Sequence, residues 1–196
     1  MTNRKQRKAF ARWENDTRDW AHRTARNLVL SMVSGQPTPV TAYGVGVVLD
    51  PGEQVWAECP LRFRQERLPA DGPAVPPVRA WLVTSDRIVG RLGDDYLYGW
   101  RWEHVRGCRV DLSLQAEHVA LDVGDSFRLD WTGPGVAPLA VTAVYRLHGR
   151  QALLDHPGLS SIRPGTRPGT CSRQAGVALP PWRPDSRCWS QPHRVP

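Results

Sequence analysis

The sequence predicts a mainly β fold with flanking helices. Its core is a small bent antiparallel β-barrel or sandwich of about seven strands, capped by a C-terminal helix. An N-terminal helix precedes this core and a disordered tail follows it. Three observations carry the prediction. The stretch 81–111 is dense in Trp, Tyr, Val and Ile and is cut by Ser-Asp and Gly-Asp-Asp turn signals into strand-length runs. Residues 5–30 hold apolar and aromatic positions at spacings of three and four, with no Pro or Gly inside. From Ser160 onward periodicity vanishes and Pro, Arg, Ser and Gly dominate.

The elements follow in order. Phe10, Trp13, Thr17, Trp20, Thr24 and Leu28 form one face of a helix over 5–30, and Arg12, Arg18, Arg23 and Arg26 lie largely off it. Gly35-Gln-Pro-Thr-Pro39 reads as a linker. Val40 to Leu49 is β-like, and Asp50-Pro-Gly is a turn. Glu53 to Phe63 alternates, with Val55, Ala57, Cys59 and Leu61 on one face and Trp56, Glu58 and Arg62 on the other. Pro60 sits there at an edge or bulge. Arg67 to Val78 carries four prolines and reads as an exposed loop. A hairpin about Ser85-Asp86 covers 79–91, and strands follow at 96–102 and 105–112. His118–Val123 and Ser126–Trp131 form a hairpin around Gly124-Asp125. Pro138 opens the closing helix, 138–154, since Pro is tolerated in a first helical turn. Gly149 weakens it, and Pro157-Gly158 stops it. The predicted organisation is a basic amphipathic helix at 1–34, a linker at 35–41, a β domain with its capping helix at 42–158 and a Pro/Arg-rich tail at 159–196.

Composition narrows the function classes. At 196 residues with 40% hydrophobic content, the chain supports one ordinary domain with extensions. No apolar run approaches the roughly 18 residues of a membrane-spanning helix, and no apolar segment follows the basic N-terminus as in a signal peptide. A cytoplasmic location is expected, with a peripheral position on the inner membrane face left open. Cys59, Cys108, Cys171 and Cys188 show no CxxC pairing or zinc spacing, so free thiols are expected. The net charge of +7 is unevenly spread. Residues 1–27 hold eight Arg or Lys against Glu14, Asp16 and Asp19, and residues 160–196 hold six Arg against Asp185. The middle holds twelve Arg against fifteen acids, so the expected domain is mildly acidic. A nucleic-acid-binding fold more often carries its basic patch on the domain itself. Arg outnumbers Lys 24 to 2, which fits a GC-rich coding sequence.

The order of pieces resembles the pleckstrin-homology-like superfold in its bacterial and GRAM-type variants. The carrying residues are Gly52-Glu53-Gln54-Val55 opening a strand, the strand and turn WLVTSDRIVG at 81–90, the Trp102–Val110 segment and the closing helix. In that family a Leu-Thr-x-x-Arg type of turn joins two strands, and Leu82-Val83-Thr84-Ser85-Asp86-Arg87 resembles it. The long Pro-rich loop at 67–78, the Gly-Pro turn at 132–137 and the additional N-terminal helix depart from the pattern. The resemblance implies lipid binding, protein binding or scaffolding without choosing among them.

Catalytic constellations are not apparent in the sequence. His104 follows Glu103 and His118 follows Glu117, but neighbours on a strand face opposite sides. His148 and His156 stand two turns apart, roughly 12 Å along an ideal helix axis, which is too far to share a metal. Gly44-Val45-Gly46 lacks the rest of a dinucleotide loop, and Pro181 with Pro184 is a weak PxxP spacing. No cofactor is expected. The leading reading is a non-enzymatic binding or scaffold domain, with a protein partner or an anionic membrane surface as ligand. A nucleic-acid accessory protein using the basic ends and an unrecognised enzyme are the alternatives. The candidate contact residues are Phe10, Trp13, Trp20, Arg12 and Arg23. The first expectation for that stripe is packing on the domain or on a second copy. Burying an indole contributes several kcal/mol, at ~25 cal/mol per Å² over roughly 150–250 Å². Oligomeric state stays open.

Overall fold

A computed structural model describes residues 2–36, 47–67, 81–92, 96–125 and 127–162. The Pro-rich loop expected at 67–78, most of the linker and the first β-like run, and the tail beyond residue 162 lie outside the described residues.

The chain begins with helix α1 (Thr2–Ser34), longer at both ends than the apolar stripe implied. Gly35 ends it with φ of 70°, and the Gln36 amide caps back onto the Ser31 carbonyl at 3.0 Å. Among the described residues eight strands follow: β1 (Val55–Cys59), β2 (Arg62–Arg67), β3 (Trp81–Thr84), β4 (Arg87–Leu92), β5 (Tyr96–Arg101), β6 (Val105–Asp111), β7 (His118–Val123) and β8 (Phe127–Thr132). Helix α2 (Ala137–Asp155) and a short 3-10 helix, Pro157–Ile162, close the order.

The strands form two four-stranded antiparallel sheets, ordered β1-β3-β4-β5 and β2-β8-β7-β6. The mainly β architecture with flanking helices is as expected. Four details differ. Glu53 to Phe63 is not one strand, because Pro60 cannot donate to a ladder and the chain turns there from one sheet to the other. The sheets do not join into a closed barrel among the described residues. The alternation expected for β1 also fails: a register shift between Val55 and Ala57 puts Val55 in a small outer cluster with Val47, Leu82 and Val89, and Ala57 in the main core. Residues 47–50, the described end of the first β-like run, form no strand.

Indole rings join the two sheets. Trp81 of β3 and Trp131 of β8 are fully buried and meet edge-to-face at 5.3 Å, and Trp100 stacks on Trp81 at 5.8 Å. Edge-to-face contact places a positive ring edge on a negative ring face, which adds to the area term. Leu139, Ala140, Val141, Ala143 and Val144 of α2 fill the same core.

The β3–β4 hairpin is pinned by the Glu53 carboxylate, which is wholly buried. It accepts from the Thr84 hydroxyl at 2.6 Å, from Arg87 Nε and Nη2 at 2.9 Å each, and from the Asp50 amide at 2.8 Å. Burial alone would push the Glu53 carboxyl up. The hydrogen bonds from Arg87, Thr84 and Asp50, with the Arg87 charge, outweigh it, so Glu53 titrates below the usual range. Thr84 Oγ also accepts from the Arg87 amide at 2.9 Å.

Two glycines shape the C-terminal end. Gly149 has φ of 76° and kinks α2, an angle that favours glycine. A Cβ on Gly158 would lie 2.0 Å from the Val110 carbonyl oxygen, so only glycine lets the 3-10 helix close onto β6. Leu159 and Ile162 are completely buried. The boundary expected at 158 is therefore corrected: the folded unit runs through Ile162, because these two side chains complete the core.

Candidate interaction helix

The candidate contact residues all lie on α1, and the structure separates them. Its second half packs on the domain through Thr17, Ala21, Ala25, Leu28, Val29 and Met32, all buried. Trp20 is half-buried against the core. Arg26 Nη2 donates to the Ser161 carbonyl at 3.3 Å, tying the helix to the 3-10 segment. The first half is different. Phe10 is 49% exposed and Trp13 41%, and their ring centroids lie 5.7 Å apart with planes at 31°. Among the described residues the packing of Phe10 and Trp13 on the domain, expected from the aromatic stripe, is not seen: both are exposed, and the buried positions of α1 begin at Thr17.

Arg12 is exposed and pairs with Asp16 one turn on, at 3.8 Å. Arg23 is exposed. Around the aromatic pair, Arg4, Lys5, Arg7, Lys8 and Arg12 are all exposed, and no acid occurs before Glu14. The aromatic face points the same way as the packed face. Phe10 precedes Thr17 by seven residues and Leu28 by eighteen, close to whole numbers of turns.

Arg18 marks the division between the halves. Its guanidinium makes a two-pronged ion pair with Glu117 in the β6–β7 loop, through Nε to Oε1 and Nη2 to Oε2, the latter at 3.0 Å. The hydrogen bonds that Arg18 donates to Glu117 raise the Arg18 pKa against the opposing cost of burial. Glu117 has φ of 40°, a left-handed angle uncommon for glutamate, and the clasp holds it there. Three residues earlier in the same loop, Leu114 is 75% exposed. The corner therefore presents Phe10 and Trp13 on the helix, and Leu114 on the loop that holds its midpoint. The sequence names Arg18 only as a cation off the stripe and Glu117 only as the neighbour of His118, without pairing them, and it does not single out Leu114. The Arg18–Glu117 pair spans 99 residues, and a single Leu between Ser113 and Gln115 carries no local signal.

The histidines fall elsewhere. His118 pairs with Asp130 on the neighbouring strand at 2.8 Å, and His104 lies 3.7 Å from Glu103 at the surface. The wide His148–His156 separation expected for a straight helix is corrected by the Gly149 kink, which brings the rings to 6.4 Å and nearly parallel. His148 Nε2 lies 3.6 Å from Cys108 Sγ. Burial, then the Asp122 charge, pushes the Cys108 thiol up to about 11, so it is protonated near neutral pH and a poor nucleophile. Cys59 is buried, and both described cysteines are free. Among the described residues no group of three His, Cys, Asp or Glu is arranged to hold a metal, and no helix is long and apolar enough to cross a membrane. Scanned against known protein families the chain matches none, and no curated protein matches it.

Proposed function

We propose that this chain is a non-enzymatic binding or scaffold module of the pleckstrin-homology-like type, which engages its partner through the first half of α1. The observation that carries the docking role is the exposed Phe10–Trp13 pair among five cations, on a helix whose other half is firmly packed. Soluble domains seldom leave adjacent large aromatics in water without a contact to make.

Two features support the fold type. If β1 and β2 count as one strand bent at Pro60, the path is seven strands with a capping helix, and the bent first strand pairs with β3 in one sheet and β8 in the other. The two short motifs that suggested the resemblance are also bonded to each other, Glu53 to Thr84 and Arg87. The nucleic-acid reading draws on the same cations but leaves the aromatic pair without a role.

A photo-crosslinking residue at position 10 or 13, in the full chain in its native cell, tests the docking role. We expect discrete adducts from both positions and none from a control at Arg128 on the sheet surface. Adducts of similar yield from all three positions would remove α1 as the docking element. Nuclease-sensitive adducts would favour the nucleic-acid alternative.

A further inference from the structure

We infer that the partner of the exposed first half of α1 is an acidic amphipathic helix, docked along the Phe10–Trp13 face. The inference rests on the docking role proposed above and names its occupant. Three observations select that occupant.

The first is direction. Phe10 lies on the face that buries Thr17 and Leu28, so it looks toward the side where the domain stands. A flat bilayer approaching Phe10 and Trp13 from that side meets the domain first. A narrow rod meets no such obstacle, and helix-in-groove docking uses apolar anchors of this spacing.

The second is charge. Residues 4–13 present Arg4, Lys5, Arg7, Lys8 and Arg12 with no acid. A partner with carboxylates flanking its apolar stripe complements them, and such complementarity sets specificity and speeds encounter. A second copy docking helix to helix about a two-fold axis would bring the two basic segments together.

The third is area. Phe10 and Trp13 leave on the order of 200 Å² exposed, given roughly 150–250 Å² per aromatic side chain. Leu114, on the loop that clasps Arg18, is a further exposed apolar side chain. A stable dimer buries about 800 Å² on each partner, so the corner suits a short helix bound reversibly.

The test uses the full chain and synthetic peptides four to five turns long. One carries a leucine stripe flanked by glutamates, and a second has lysines in place of the glutamates. The same samples are tested against phosphatidylglycerol vesicles and by sedimentation equilibrium. We expect the glutamate peptide to bind in the micromolar range. Both the lysine peptide and the Phe10→Ala/Trp13→Ala variant should weaken binding about tenfold or more. Equal binding of the two peptides, no binding of the glutamate peptide at millimolar concentration, or a variant that binds unchanged would overturn the inference. Vesicle binding or dimerisation that needs Phe10 and Trp13, without peptide binding, would also overturn it while leaving the docking role of α1 in place.

Discussion

The two halves of α1 are built from opposite materials. The half that packs buries Ala21, Ala25, Thr17 and a few aliphatic side chains and half-buries Trp20, while the half that stays exposed carries Phe10 and Trp13. Small residues let two helices approach closely, and α1 lies against α2, which buries Ala137, Ala140 and Ala143 in the same core. Large aromatics at the same positions would hold the helices apart. Side-chain size therefore reports poorly on which part of a helix is covered. The ends of the neighbouring elements decide it, and here they stop at the Arg18–Glu117 clasp.

The sharpest way to break this contrast is to cut the packed half. Leu28 is 1% exposed within the main core. Leu28→Ala should cost about 2–5 kcal/mol, the lost transfer energy plus a cavity that packed helices cannot fully close. Urea denaturation measures it. A loss under about 1 kcal/mol would mean that the packed half is as loosely held as the other.

The clasp itself should matter less. Arg18 and Glu117 are only 21% and 12% exposed, so removing the cation strands a mostly buried carboxylate. Arg18→Ala should cost about 1–3 kcal/mol. Glu117 would then relax from its φ of 40°, which returns part of the loss. Hydrogen exchange adds a spatial readout: amides of residues 113–117 should lose protection while those of β3 keep theirs. Unchanged exchange in that loop would remove the clasp as the boundary between the halves.

The sequence conveyed the elements better than their contacts. Strand-length aromatic runs, the Gly124 turn and the Pro138 helix start are local signals, and the elements they mark formed within a few residues of their expected places, unlike the run expected at 53–63. Pro60 was legible as an irregularity, but its consequence was not, because which sheet receives β2 depends on β8, some seventy residues away. The His148–His156 approach was missed for a related reason: Gly149 was read as a weak point, and a weak point in the sequence does not say which way the chain bends. On α1 the stripe was legible and its covering was not. Periodicity shows that a face is apolar, and only the tertiary arrangement shows where the domain beneath it ends.

The smallest expected effect is the most discriminating. Replacing both Phe10 and Trp13 by alanine removes two of the largest side chains on α1. On size alone that would cost as much as any core truncation, about 3–5 kcal/mol for each aromatic. Their exposures of 49% and 41% argue otherwise. The contact between them is an i, i+3 pair, worth about 0.2–0.5 kcal/mol on a helix surface. Alanine offsets that loss, because its helix propensity exceeds that of either aromatic by about half a kcal/mol. The double variant should thus unfold within about 0.5 kcal/mol of the parent chain, as surface substitutions do. Urea denaturation decides the matter. A loss above about 1.5 kcal/mol would place the pair against the folded domain, and the difference between the two halves of α1 would disappear with it.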